Sequence, residues 1–96
     1  MSSQKNSAND IDMVLLREPL AGFAISMEKV LQKNDYKGGW QGLAIEHLLS
    51  RLDQERDELL IAIHEGSTID EIQHECCDVA NLAMMIFDNL ERRRFG

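Results

Sequence analysis

The sequence predicts an all-α fold, an antiparallel helical bundle of about three long helices per chain that is completed by oligomerisation. Three observations lead there. Of the 96 residues 44% are apolar but only five are aromatic, and the aliphatic ones fall in long runs with a single proline, Pro19. A composition like that suits helices better than a sandwich of short strands. Within the runs, apolar residues recur at three- and four-residue steps, the period of a helix with one buried face. Breaks between the runs carry recognisable helix start and stop signals. A chain this short holds one hydrophobic core, so residues 11–96 are expected to form a single domain.

Residues 1–10 are polar and read as a disordered or extended arm. Ile11 to Leu16 is a short apolar patch, either a helical turn or a strap across a partner. Pro19 suits the first turn of a helix, with Glu18 beside the positive end of its dipole. Leu20, Phe23, Ala24, Met27, Val30 and Leu31 then carry that helix to about Gln32. Asn34–Gly42 contains three glycines and the only tryptophan, and reads as a loop.

A second helix is expected from about Leu43 to Glu65 on Leu48, Leu52, Leu59, Ala62 and Ile63, ended by Gly66 in the C′ position. Thr68 and Glu71 form a capping box that starts the third. Ile72, Val79, Leu82, Ala83, Ile86 and Leu90 give the third helix its stripe, and Arg92, Arg93 and Arg94 oppose the negative pole at its end. Its apolar residues cover more than one side, which predicts a homo-oligomer, dimer or tetramer.

Charge narrows the function. Seventeen acids against ten bases leave a net charge of −7, which disfavours a nucleic-acid polymer as partner. No run approaches the roughly 20 apolar residues of a membrane span, and no signal-peptide core is present, so a cytoplasmic location with no membrane partner is expected. Cys76 and Cys77 are adjacent on a helix, about 100° apart, which is poor disulfide geometry. A zinc site recruiting His74 and His64 lacks the paired C-x-x-C spacing. The thiols read as reduced packing residues. His47 and His64 read as solvent-facing.

Four acids break the amphipathic rule. Leu48, Leu52, Glu55, Leu59 and Ala62 advance by four, three, four and three, so Glu55 lies inside the apolar stripe, and Glu58 projects from the same side. On the third helix Ile72, Glu75, Val79, Leu82 and Ile86 do the same, with Asp78 three residues past Glu75. The short connection through Gly66 makes these helices antiparallel neighbours, so both pairs face one interior. Burying such a cluster costs several kcal/mol per ion unless it is neutralised. Carboxylate ligands on rigid helices suit magnesium or manganese. Di-iron bundles use Glu-x-x-His pairs; here the last position is an acid both times.

In these residues the sequence resembles the MazG-like all-alpha nucleoside triphosphate pyrophosphatase superfamily, whose signature is ExxE, a spacer, then ExxD. Glu55-Arg-Asp-Glu58 is followed by sixteen residues and Glu75-Cys-Cys-Asp78. Lys37-Gly-Gly-Trp40 and Asp78-Val-Ala-Asn81 resemble a subgroup common in phage and mobile-element genomes. The resemblance covers about residues 20–90. It implies Mg2+, with Mn2+ as a substitute, held by Glu55, Glu58, Glu75 and Asp78. The implied reaction hydrolyses a (d)NTP to (d)NMP and pyrophosphate by attack of metal-activated water at the α-phosphorus, with one acid of the cluster or Asp57 as the base.

On the same resemblance Lys37 is a point charge for phosphate, with Gly38 and Gly39 admitting the backbone. Trp40 either stacks on the base or plugs the end of the bundle. Asn81 either bonds base or sugar, or is a satisfied interhelical amide. Many members of that family carry a further helix after the ExxD helix, which leaves this bundle to be completed by the N-terminal segment or another subunit. The competing expectation is a non-catalytic helical dimerisation or nucleotide-binding module.

Overall fold

A computed structural model describes residues 15–95. The expected N-terminal arm and residues 11–14 of the apolar patch lie outside these. Helix α1 spans Glu18–Lys33, a 3-10 turn spans Asp35–Lys37, α2 spans Ile45–His64 and α3 spans Ile69–Phe95. The all-helical reading holds for the described residues.

Local chemistry explains each boundary. Pro19 occupies the first turn of α1, with Glu18 beside it at the positive pole. At the other end the Asn34 side chain donates from Nδ2 to the Val30 carbonyl at 3.2 Å, and its backbone N–H reaches Leu31 O at 3.0 Å. Helix α2 starts two residues later than its apolar spacing suggests. Leu43 N–H is turned back onto Trp40 O at 3.0 Å, and Ala44 is extended, with φ −67° and ψ 147°.

The α2–α3 connection follows the expected pattern closely. Gly66 takes φ +70°. Its N–H bonds Ile63 O at 3.3 Å while Ser67 N–H bonds Ala62 O at 3.0 Å, the two bonds of a Schellman stop. Thr68 Oγ1 then accepts from Glu71 N–H at 3.1 Å, and Glu71 Oε1 accepts from Thr68 N–H at 3.0 Å, closing the capping box.

Helix α3 is the spine of the molecule. It packs against both α1 and α2, which do not pack on one another. Leu43, just before α2, lies beside Asn89 near the end of α3, so α2 and α3 run antiparallel. The buried apolar residues are Val30, Leu48, Ala62, Cys77 and Leu82. Leu48 is fully enclosed, a burial that stabilises the α2–α3 pair by about 1.5–3 kcal/mol.

The expected apolar stripe of α1 is only partly used. Val30 is buried, but Leu20 and Phe23 are 50% and 38% exposed. The reason is that α1 meets α3 near its C-terminal end, where Asn81 bonds Met27 O. Ile63 of α2 and Leu90 of α3, also expected in stripes, are half exposed. Oligomerisation is a separate matter, and the three helices of one chain leave much apolar surface uncovered.

Candidate metal centre and its cleft

Antiparallel packing brings the two acidic motifs to one level of the α2–α3 interface. Oxygens of Glu55, Glu75 and Asp78 lie within 4.8 Å of one another, and all three side chains are half-buried. Glu58 is not in this group. It is exposed and lines the same cleft from the rim. The expected cluster of four is therefore three convergent carboxylates with a fourth beside them.

The crowding is visible in the electrostatics. Burial first, then the charges of Glu58, Asp78 and Glu75, raise the Glu55 pKa above its ordinary value, against a smaller opposing pull from Arg51. Burial likewise leads in raising Glu75, followed by Asp78 and Glu58, with His74 opposing. Glu75 Oε1 is buried with no hydrogen-bond partner. A buried carboxylate oxygen without a donor is costly unless it takes a proton or a cation. An all-oxygen donor set of this kind fits a hard divalent ion such as Mg2+ or Mn2+.

The cleft has a volume of about 400 Å³ and continues from the carboxylates to the loop before α2. Lys37, Gly38, Gly39 and Trp40 line one side, and Asp78, Asn81, Leu82 and Met85 of α3 line another. Gly38 takes φ +89°, a backbone geometry that favours glycine. The structure thus gathers Lys37, Trp40 and Asn81 around the same space as Glu55, Glu58 and Asp78.

Trp40 is held firmly. Its indole Nε1–H donates to Asp88 Oδ2 at 2.9 Å, the oxygen that also accepts from Arg92 Nε at 2.9 Å. These two bonds, the one from Arg92 foremost, keep the Asp88 carboxyl below the usual carboxylate range. Asn89 Nδ2 donates to Trp40 O at 3.0 Å and Leu43 O at 3.1 Å, stapling the loop to α3. Asn89→Ala should therefore lower stability by about 1–3 kcal/mol, because Leu43 O loses this donor and Trp40 O is left with the Leu43 N–H alone. Urea unfolding measures the loss, and an unchanged midpoint would remove the staple from the account.

Asn81 is 4% exposed. Its Nδ2 donates to Met27 O at 3.2 Å, which makes half of it an interhelical tie, while Oδ1 has no partner. Sequence reasoning missed Arg51, Asp88 and Asn89, and considered His74 only as a zinc ligand. His74 lines the cleft, with Nε2 3.6 Å from Asp78 Oδ2. The signals were present. Arg51 precedes Glu55 by one helical turn, His74 precedes Asp78 by one, and Asn89 sits seven residues past Leu82 within the apolar stripe.

Cys76 and Cys77 are free thiols, and burial pushes the Cys77 thiol up, with the Asp78 and Cys76 charges adding to it. His47 and His64 are exposed. Among the described residues, the metal-competent grouping of Cys, His and acidic side chains consists of carboxylates alone. No described helix is long and apolar enough to cross a membrane.

No family model, curated protein or solved structure matches the chain. Fold and site together define a class in physical terms: a three-helix domain with a carboxylate cluster at one end of a cleft and a stapled Lys-Gly-Gly-Trp loop at the other.

Proposed function

We propose that this protein is a Mg2+-dependent nucleoside triphosphate pyrophosphohydrolase of the MazG-like kind, converting a (d)NTP to (d)NMP and pyrophosphate as a homo-oligomer. The observation that carries the reading is the meeting of Glu55, Glu75 and Asp78 oxygens within 4.8 Å, with Glu75 Oε1 buried and unpartnered among them. An acidic pair on a solvated face would show neither feature.

In this reading Glu55, Glu75 and Asp78 hold the cation, which when bound supplies positive charge for the phosphates and makes water more acidic. Glu58, at the rim, takes the proton from the attacking water onto its carboxylate. The water oxygen bonds the α-phosphorus, the bond from that phosphorus to the α–β bridging oxygen breaks, and pyrophosphate leaves with the electron pair. Lys37 and the backbone at Gly38 and Gly39 hold phosphate. Trp40, fixed by Asp88 and Asn89, offers an aromatic face to the base. Asn81 Oδ1 accepts a hydrogen bond from base or sugar.

A pyrophosphate-release screen over standard and modified triphosphates, with Mg2+ or Mn2+, tests this directly. Pyrophosphate, not orthophosphate, should appear and should disappear with EDTA. Silence over the whole panel, with a non-hydrolysable triphosphate still binding, would instead support a nucleotide-binding module without catalysis.

A further inference from the structure

A second hollow, of about 420 Å³, opens where the start of α2 meets the end of α3. Residues 41–44 form one wall, and Asn89, Arg92 and Arg93 of α3 form the other. It shares only Leu43 with the carboxylate cleft, and none of Glu55, Glu75 and Asp78 borders it. Three sets of groups around it lack partners.

The first is the helix start itself. Ala44 stands at the N-cap in extended conformation and offers no side-chain cap. The first helical bond runs from Leu48 N–H to Ala44 O, and among the described residues the N–H groups of Ile45, Glu46 and His47 have no acceptor. Such orphan donors at the positive end of a 20-residue helix attract an anion. The second set is cationic. Arg93 makes no ion pair among the described residues, and Arg92 spends only Nε on Asp88. Glu46, the acid in the first turn of α2, is not part of the wall.

The third group selects the ligand. Asn89 is 4% exposed. Both protons of its Nδ2 are committed, to Trp40 O and Leu43 O, which fixes the amide and leaves Oδ1 as the group it can present to the hollow. Oδ1 is buried without a donor. An anion alone does not satisfy an acceptor, so the ligand must also carry a proton.

We propose that this hollow binds inorganic phosphate. Orthophosphate keeps at least one P–OH at neutral pH, and that hydroxyl donates to Asn89 Oδ1. Its charged oxygens accept from the N–H groups at the start of α2 and from Arg92 and Arg93. Sulfate has a similar shape and charge but no proton to give, so it leaves Oδ1 unpaired beside an anionic oxygen. Bound phosphate ties the segment after Trp40 to the last turn of α3, next to the Asn89 staple. The site needs no divalent cation and does not depend on the proposed hydrolysis.

Titration calorimetry of the full chain in EDTA reads this site apart from the metal centre. Phosphate should bind saturably and at least about tenfold more tightly than sulfate, the scale of one hydrogen bond to a charged group. Arg93→Gln should weaken phosphate by about tenfold or more. Ala44→Asp places a carboxylate at the N-cap, where it accepts from the helix N–H groups itself. That variant should lose phosphate binding while its melting midpoint rises, so the loss is not a loss of fold. In the wild type, phosphate should shift the amide resonances of Ile45, Glu46 and His47 and raise the melting midpoint. No saturable binding, equal affinity for sulfate (an adventitious ion only), or phosphate binding retained by Ala44→Asp would each overturn the proposal. Its failure leaves the pyrophosphohydrolase reading untouched, because no turnover is measured.

Discussion

Asp78→Asn and Glu55→Gln should each reduce triphosphate hydrolysis by more than about 10²-fold while leaving the helical signal unchanged. Losing a residue that merely orients a metal ligand commonly costs 10–100-fold, so losing a ligand itself costs more. Asp78 is the more informative position. Its oxygens join the three-carboxylate group, and its charge contributes to the raised pKa of both Glu55 and Glu75. Folding should not suffer, because the amide removes a like charge from a crowded place. Asp53→Asn supplies the control, since Asp53 is exposed and the substitution changes net charge by the same amount. Titration calorimetry should show Mg2+ affinity falling with Asp78→Asn and holding with Asp53→Asn. Wild-type rates in both cluster variants would remove the assigned centre.

How much of this was legible beforehand depends on the range over which each signal acts. The α2–α3 connection was readable because its determinants are local. Gly66, Thr68 and Glu71 satisfy backbone groups within a few residues, and the observed hydrogen bonds are those their identities require. The convergence of Glu55, Glu75 and Asp78 was readable for a related reason. Helical spacing places each acid on a face, and one short turn fixes which faces meet.

The losses came from contacts that spacing cannot describe. Leu20 and Phe23 have the right period, yet period says nothing about whether a partner reaches that end of α1. Glu58 shares the side of Glu55, but three residues turn a helix by about 300°, and 60° of rotation was enough to put it on the rim. Trp40 was ambiguous because its bond to Asp88 joins residues 48 apart. Asn89 is the exception. A polar residue in an apolar stripe was the same kind of clue that exposed Glu55.

Glu75→Gln should make the chain more stable without divalent cations near pH 7.5, and should abolish the stabilisation that Mg2+ gives the wild type. Burial leads in raising the folded-state pKa of Glu75, with Asp78 and Glu58 adding to it. The folded chain therefore holds the Glu75 proton more tightly than the unfolded chain does. That contribution is complete below the ordinary glutamate value and is lost as pH rises through the raised one, so the cation-free wild type is weakened on going from acid to neutral pH. Glu55 acts in the same sense. Asp88, held low by Arg92 and Trp40, acts oppositely, its contribution being lost only as pH falls.

A glutamine at 75 carries no charge to expose, and its amide offers donors to the neighbouring carboxylates. Each kcal/mol of relief corresponds to about 4–8 °C in the melting midpoint of a domain this size. The advantage over wild type should shrink as pH falls through the raised value, where the carboxyl takes up its proton. Magnesium should replace the missing proton in the wild type, raising stability by about 2.7 kcal/mol at a hundredfold excess over its dissociation constant, and should do little for Glu75→Gln. Thermal melts at two pH values, with and without magnesium, separate the cases. If both proteins gain equally from the ion, Glu75 does not help to hold it; if the glutamine variant melts lower at every pH, the carboxylates are not crowded enough to need a cation.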